Sequence, residues 1–193
     1  MTTTYKISRR GRLIAVVRQQ EKLLIVKVTT ANLDLVLQTP DEVLTWIDSL
    51  PPEIRAEVSA DWIARVRSTV AGDPWSLTFN MVERSSGSVV GNCAFKGPPD
   101  SDGIVEVAYY TDPNYCGRGF ATEAAGGLTE FAFASGQVRL VRAHTKTDNG
   151  ASARILTKCS FRLVGEVMDP EDGLVCRWER NVAGTDTTAE SGA

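Results

Sequence analysis

Residues 109–124 have the sequence YYTDPNYCGRGFATEA, in which a predicted strand leads through a glycine turn into a predicted helix. The strand is expected over Ile104–Thr111, and the helix begins near Phe120. The first N–H groups of a helix have no partner within the helix and lie at the positive end of its dipole. Gly117 and Gly119 lack a Cβ atom, so an anion can approach their backbone closely. The stretch is therefore predicted to bind a phosphate or diphosphate group.

The segments around this turn alternate between strand-like and helix-like patterns. Thr39, Pro40 and Glu42 form a capping box at the start of an amphipathic helix, and Ser59 begins a second one. The order of elements predicts an α/β fold with one central sheet and helices on both of its faces. The predicted strands are 32–38, Trp75–Glu83, Ser88–Lys96, Ile104–Thr111, Val138–Thr145, Phe161–Val167 and Val175–Glu179, and the two later helices are Phe120–Ser135 and one from the cap Asn149 through about Lys158.

The charge is distributed unevenly along the chain. The first 31 residues carry seven Lys or Arg and one acid, whereas the whole chain of 193 residues has a net charge of −3. Such asymmetry is typical of an appended segment. We expect a basic extension over 1–30, one folded domain over 31–180 and a disordered tail over 181–193, and we expect the activity of the domain to survive removal of residues 1–28.

Cysteine and histidine usage indicates the compartment and argues against a metal site. The four cysteines are widely spaced without a C-x-x-C pair, and His144 is the single histidine. Reduced thiols in the cytoplasm are the expected state. Apolar runs such as Leu23–Val26 are far shorter than the roughly 18 residues of a membrane span. The net negative charge does not favour a nucleic acid or the ribosome as a partner.

Two sequence blocks resemble the GNAT superfamily of N-acetyltransferases. The segment CGRGFA, residues 116–121, resembles its acetyl-coenzyme A signature Gln/Arg-x-x-Gly-x-Gly/Ala. The segment from Asn149 to Phe161 resembles the Asn-x-x-Ser and Lys-x-Gly-Phe elements of the RimJ/RimL-like branch. Cys116 stands where the family favours Gln or Arg, and Ser160 stands where it has glycine. The resemblance implies a mixed, mostly antiparallel central sheet.

The resemblance also implies a set of site residues. Acetyl-coenzyme A is the implied acyl donor, with its diphosphate on the amides of Gly117–Ala121 and its pantetheine arm along the backbone of Tyr109–Thr111. Glu106 is the candidate base, or else a structural carboxylate, and Ser152 is the candidate proton donor, or else a hydroxyl bonded to the helix backbone. His144 is interpreted as a structural histidine. The implied cofactor-binding residues are Tyr109, Tyr110, Thr111, Cys116, Gly117, Arg118, Gly119, Phe120, Ala121 and Asn149.

Three functions remain open on the sequence alone. The first is an N-acetyltransferase that moves an acetyl group directly to a primary amine of a small molecule or a protein N-terminus. The second is a non-catalytic acyl-coenzyme A sensor on the same fold. The third is a protein that uses its basic N-terminal segment as an electrostatic arm on RNA. We expect the protein to be a monomer or a homodimer.

Overall fold

The structure is a computed structural model that describes residues 14–15, 18–20, 23–170 and 172–183. It contains eleven strands, five α-helices and a short 3-10 helix, Pro113–Tyr115, in these ranges. The strands are β1 Ile14–Ala15, β2 Arg18–Gln20, β3 Leu23–Ile25, β4 Lys27–Thr29, β5 Leu33–Leu37, β6 Thr78–Glu83, β7 Val89–Phe95, β8 Ile104–Thr111, β9 Leu140–Lys146, β10 Arg162–Asp169 and β11 Gly173–Asn181. The helices are α1 Pro40–Ser49, α2 Pro52–Glu57, α3 Ala60–Ser68, α4 Phe120–Ala134 and α5 Gly150–Lys158.

Nine of these strands form one sheet in the order β1-β4-β5-β6-β7-β8-β9-β11-β10, and β2 pairs with β3 separately. Within the described ranges, neighbouring strands pair antiparallel except β8 and β9, which pair parallel. The predicted hairpin of β6 and β7 is present. The mixed, mostly antiparallel sheet is therefore confirmed.

Helices pack on both faces of this sheet. Thr78 and Phe79 are adjacent in β6, so their side chains point to opposite faces, and both are buried. On one face, the ring of Phe131 in α4 lies 6.0 Å from the ring of Phe79 and 6.4 Å from the ring of Phe95. The predicted α/β arrangement is confirmed.

The helix starts follow their capping residues. The Glu42 N–H donates to the Thr39 hydroxyl at 3.2 Å, and the Thr39 N–H donates to the Glu42 carboxylate at 2.7 Å. Ser59 caps α3 as predicted. Pro51 and Pro52, which the sequence suggests as an interruption, instead begin the short helix α2 with Pro52 at its first position. None of the helices in the described ranges is long and apolar enough to cross a membrane.

The boundary expected between residues 30 and 31 falls inside a hairpin of the central sheet. β4 pairs with β5, with Val28 opposite Leu35, and Val28 is fully buried. The basic character of the segment conceals this strand, because Lys27 and Thr29 flank the buried valine. Val26 and Val28, which lie in the segment expected to be dispensable, therefore contribute to the core. Most of the predicted extension, and the part of the predicted tail after residue 183, lie outside the described residues.

Candidate active site

A cleft opens where β8 and β9 separate. The two strands pair only from Ile104 opposite Leu140 to Glu106 opposite Arg142. Beyond these positions β8 stays with β7 up to Thr111, while β9 continues along β11. The resulting cavity has a volume of about 290 Å³. Its lining includes Lys96, Glu106, Tyr109, His144, Asn149, Ser152 and Asp172.

The edge of β8 that faces the cleft has free backbone polar groups. The Glu106 carbonyl accepts from the Lys96 N–H at 2.9 Å, and the Asp112 N–H donates to the Val90 carbonyl at 3.0 Å. Even-numbered residues of β8 therefore direct their backbone groups towards β7, and the odd-numbered residues of 107–111 direct theirs towards the cleft. An extended ligand with amide groups can pair with this edge as another strand would.

The glycine turn forms an open cradle at the start of α4. Gly117 has a φ of 78° and Gly119 a φ of 84°, in the left-handed region that favours glycine. A Cβ atom built at either position would meet no atom within 4 Å. No side chain caps α4, so its first N–H groups remain available to a ligand. The cradle fits a diphosphate, which is the group that acetyl-coenzyme A would present there.

Arg118, one of the implied cofactor-binding residues, is paired within the protein. Its guanidinium contacts the nearly buried Glu83 carboxylate at 2.5 Å and lies 4.8 Å from the centre of the Phe120 ring. The Glu83 carboxylate therefore offsets part of its charge. This ion pair links the turn to β6, while about half of the Arg118 side chain, 49%, remains exposed.

The other residues that were predicted to bind the coenzyme around this turn differ in the exposure of their side chains. The Phe120 side chain is buried in the core. Cys116 is exposed, and its thiol lies 3.6 Å from the Asp112 carbonyl. Ala121 lies in the first turn of α4. The Tyr110 side chain is exposed on the face of the sheet opposite Tyr109.

Tyr109 and Ser152 meet on the α5 side of the cleft. Asn149 caps α5, and its side-chain oxygen accepts from the Ser152 N–H at 3.0 Å. Asn149 therefore positions Ser152 in the first turn of the helix. The Tyr109 hydroxyl is buried and makes no well-formed hydrogen bond to any described residue, as is also true of the Thr111 hydroxyl. Burial raises the pKa of Tyr109 to about 12, although the neighbouring Ser152 hydroxyl acts in the opposite direction.

Glu106 lies at the centre of a charged cluster on the other side of the cleft. Its Oε1 atom is 3.0 Å from Lys96 Nζ and 3.1 Å from His144 Nδ1. Asp172, in the turn between β10 and β11, lies 3.6 Å from the same ammonium. Burial acts to lower the pKa of Lys96, but the hydrogen bond and charge of Glu106 and the charges of Asp172 and Asp169 raise it overall.

Three residues that line the cleft could not be assigned to it from the sequence, because tertiary contacts bring them there. They are Lys96, His144 and Asp172. Lys96 follows β7 and His144 lies in β9, so no local motif links them to Glu106 in β8. The alternation of β8 places Glu106 on one face, but only the sheet order shows which side chains share it. No group of three His, Cys, Asp or Glu residues in the described part of the chain could hold a metal ion.

A family model described as an acetyltransferase (GNAT) domain matches residues 22–162. The chain belongs to the GNAT family. Among curated GNAT relatives, the uncharacterised N-acetyltransferase p20 of Bacillus licheniformis is 24% identical over 152 residues, which cover 78% of this chain and 85% of the relative. The N-acetyltransferase YjdG of Bacillus subtilis is 28% identical over 101 residues, or 52% of this chain and 58% of the relative.

Solved structures share the same GNAT fold at low sequence identity. RimL, the ribosomal L7/L12 alpha-N-protein acetyltransferase, matches with a TM-score of 0.61 and 15% identity, over 86% of this chain and all of that chain. The aminoglycoside acetyltransferase AAC(6')-Ib, in complex with ribostamycin and coenzyme A, matches with a TM-score of 0.58 and 16% identity. The match covers 84% of this chain and 100% of that chain. The chain is thus an acetyl-coenzyme A-dependent acyltransferase of the GNAT family.

Proposed function

We propose that this GNAT protein transfers an acetyl group from acetyl-coenzyme A directly to a primary amine in a ternary complex. The observation that carries the proposal is that three features lie along β8 and the turn that follows it. These are an open diphosphate cradle at Gly117 and Gly119, a free strand edge on β8, and the Glu106 carboxylate. The acceptor is a small molecule or a protein N-terminus.

Acetyl-coenzyme A, when bound, supplies the activated thioester. The amides of Gly117–Ala121 hold its diphosphate, and the free backbone groups of residues 107–111 hold its pantetheine arm. Cys116, whose thiol contacts the Asp112 carbonyl, adds no charged group to the diphosphate. The Tyr109 N–H, which belongs to the free edge, is available to stabilise charge that develops on the acetyl oxygen.

Glu106 removes a proton from the acceptor. An amine attacks only when it is neutral, so a nearby carboxylate is needed to take the proton directly or through water. Glu106 is the carboxylate of β8 that lines the cleft, and 20% of its side chain is exposed. One of its oxygens is engaged by Lys96 and His144, which leaves the other to face the acceptor.

Ser152 donates the proton that the departing thiolate needs. It lies in the first turn of α5, where the helix dipole favours negative charge nearby. The Tyr109 hydroxyl beside it stays protonated at neutral pH, because burial raises the pKa of Tyr109 to about 12. The tyrosine is therefore a second protonated hydroxyl next to Ser152 and reinforces its role.

The contacts of Glu106 also support a second candidate function, the non-catalytic acyl-coenzyme A sensor. A carboxylate held by Lys96 and His144 can act as a structural link between strands instead of a base. In that case the cradle and strand edge would bind the ligand, and no acceptor would react.

A thiol-release assay separates these two functions. Acetyl-coenzyme A is incubated with the protein and with polyamines, aminoglycosides, amino acids or N-terminal peptides, and free coenzyme A is measured against a reaction without acceptor. The panel includes aminoglycosides and N-terminal peptides because the structural neighbours act on or bind such molecules. Amine-dependent release supports transfer. Tight binding without release for any amine would support the sensor instead.

The cellular setting that we propose follows from the thiols and charges. All four cysteines, Cys93, Cys116, Cys159 and Cys176, are free, as expected for a protein of the reducing cytoplasm. The partners that we propose are acetyl-coenzyme A and an amine, with neither a membrane nor a nucleic acid, and with the protein acting as a monomer or a homodimer.

A further inference from the structure

Four side chains form a continuous polar row across one face of the sheet. Lys96 Nζ lies 3.0 Å from Glu106 Oε1, and the same oxygen lies 3.1 Å from His144 Nδ1. On the other side of the imidazole, Arg177 Nε lies 3.4 Å from His144 Nε2. His144 and Arg177 are directly opposite each other in β9 and β11. The row therefore crosses the strands, from Lys96 at the end of β7 to Arg177 in β11.

The Arg177 contact determines which nitrogen of His144 carries the proton. A guanidinium has only donors, so the His144 Nε2 atom must accept from it and must be unprotonated. In a neutral imidazole the proton then resides on Nδ1. That atom is buried and faces Glu106 at 3.1 Å; the angle is poor for a hydrogen bond, but no other described residue pairs with it. His144 is thus a donor directed at the carboxylate.

We propose that His144 is a positioning residue for Glu106, and that Arg177 enforces the tautomer in which it acts. The proposal rests on the transfer reaction argued above. His144 Nδ1–H and the Lys96 ammonium both face Oε1, which restricts the rotation of the carboxylate. The second oxygen is then directed to the acceptor. Because Nδ1 already carries a proton, His144 does not relay the proton that Glu106 receives.

The charged groups around the carboxylate define the expected pH behaviour. Besides His144, Glu106 faces Lys96 from the end of β7 and Arg142 from β9, and Arg142 is itself paired with Glu179 at 2.8 Å. Asp172 contributes an opposing charge from the turn before β11, and Lys146 and Arg177 complete the set on β9 and β11. Loss of the donor at His144 leaves the ionised carboxylate less stabilised.

Two substitutions at His144 separate positioning from packing. In His144→Asn, the amide nitrogen can take the place of Nδ1 and still donate to Glu106. In His144→Gln, the longer side chain reaches towards Arg177 and leaves Glu106 without this donor. We expect His144→Gln to lower kcat about tenfold or more and to move the acidic limb of kcat/KM to higher pH. His144→Asn should retain most of kcat, and both variants should bind acetyl-coenzyme A as the wild type does.

The tautomer can be measured without a substrate. Because the chain has one histidine, the ring ¹⁵N signals of the labelled, tag-free protein belong to His144 alone. We expect the Nδ1–H form, and we expect Arg177→Met to shift the ring towards the Nε2–H form. An Nε2–H ring in the wild type would overturn the inference.

The two measurements also distinguish this inference from the proposed function. If no amine is acetylated by the wild type, the proposed function fails, and the ring signals still report whether Arg177 sets the tautomer. If transfer occurs and His144→Gln retains the kcat and pH profile of the wild type, the positioning role is wrong while the transfer reaction stands.

Discussion

The Glu123 carboxylate accepts a hydrogen bond from the backbone N–H of Leu33 at 3.0 Å. The Thr30 hydroxyl and both the backbone and side-chain N–H groups of Asn32 donate to the same carboxylate. Glu123 lies in the first turn of α4, directly after the glycine turn. These bonds therefore connect the β4–β5 turn to the helix that presents the diphosphate cradle.

We predict that Glu123→Gln destabilises the protein by about 1.5–3 kcal/mol, as measured by denaturant unfolding at pH 7. The amide of the variant carries no charge, and its NH₂ group would face the N–H and O–H donors that now bond to the carboxylate. Glu130→Gln is the matched control, because Glu130 lies on the same helix in a more exposed ion pair with Arg180. The control should cost no more than about 1 kcal/mol.

The stabilisation by Glu123 should also depend on pH. Burial alone would raise the pKa of this carboxyl, but hydrogen bonds from Thr30, Asn32 and Leu33 hold it below its usual value. Its contribution is therefore complete above the ordinary value of 4.5 and is lost as the pH falls through the lower pKa of the folded state. A wild-type advantage over Glu123→Gln that persisted unchanged down to pH 2 would contradict this assignment.

Removal of residues 1–28 should unfold the protein or make it insoluble. The deletion takes away Val26 and most of β4, including Val28, and burial of each valine is worth about 1.5–3 kcal/mol. It also uncovers α4 at Gly127, where a built Cβ atom lies 3.9 Å from a methyl carbon of Val28. Deletion of residues 1–13, which removes none of these contacts, is the control. A soluble, active protein that begins at residue 29 would show that β4 is dispensable.

Ser160→Gly should stabilise the protein by roughly 0.5–1 kcal/mol without changing coenzyme affinity. Ser160 has a φ of 64°, and it ends α5 in a Schellman motif. The Ser160 N–H donates to Thr157, and the Phe161 N–H donates to Leu156, both at 3.0 Å. Glycine adopts this conformation without the penalty of a Cβ atom. A denaturant midpoint that stays constant or falls would show that serine is not strained here.

Much of the fold could be predicted because its signals are local. The caps at Thr39 and Asn149, the extent of β8 and the left-handed residue after α5 each depend on a few neighbouring residues. The N-terminal strands could not be recognised, because Val26 and Val28 lie among basic residues and only their packing on β5 and α4 shows that they are core.

The candidate site was predictable where it consists of backbone. The cradle at Gly117 and Gly119 follows from glycines at a helix start, and it has the expected geometry. The partners of Arg118 and Glu106 were not predictable, since Glu83 and His144 reach them from other strands. The roles of Glu106 and Ser152 in the reaction stay predictions.

Glu106→Gln should lower kcat by about 10²- to 10⁴-fold, because the amide cannot accept the proton of the acceptor. Acetyl-coenzyme A affinity should be unchanged, since the cradle and strand edge are made of backbone. The control is Asp34→Asn, which breaks a partly buried ion pair with Lys27 between β4 and β5, away from the cleft. If Glu106→Gln loses stability as Asp34→Asn does but keeps kcat, Glu106 is a structural partner of Lys96.

The most direct test of the cradle is a calorimetric titration of acetyl-coenzyme A into the wild type, Gly119→Glu and Gly136→Glu. Both glycines have positive φ, 84° and 72°, and open space around a built Cβ atom, but they lie at opposite ends of α4. The backbone strain is therefore matched, while only Gly119→Glu places a carboxylate in the diphosphate position. We predict binding to the wild type and Gly136→Glu and none to Gly119→Glu; equal affinity in all three proteins would contradict the account and locate the coenzyme elsewhere.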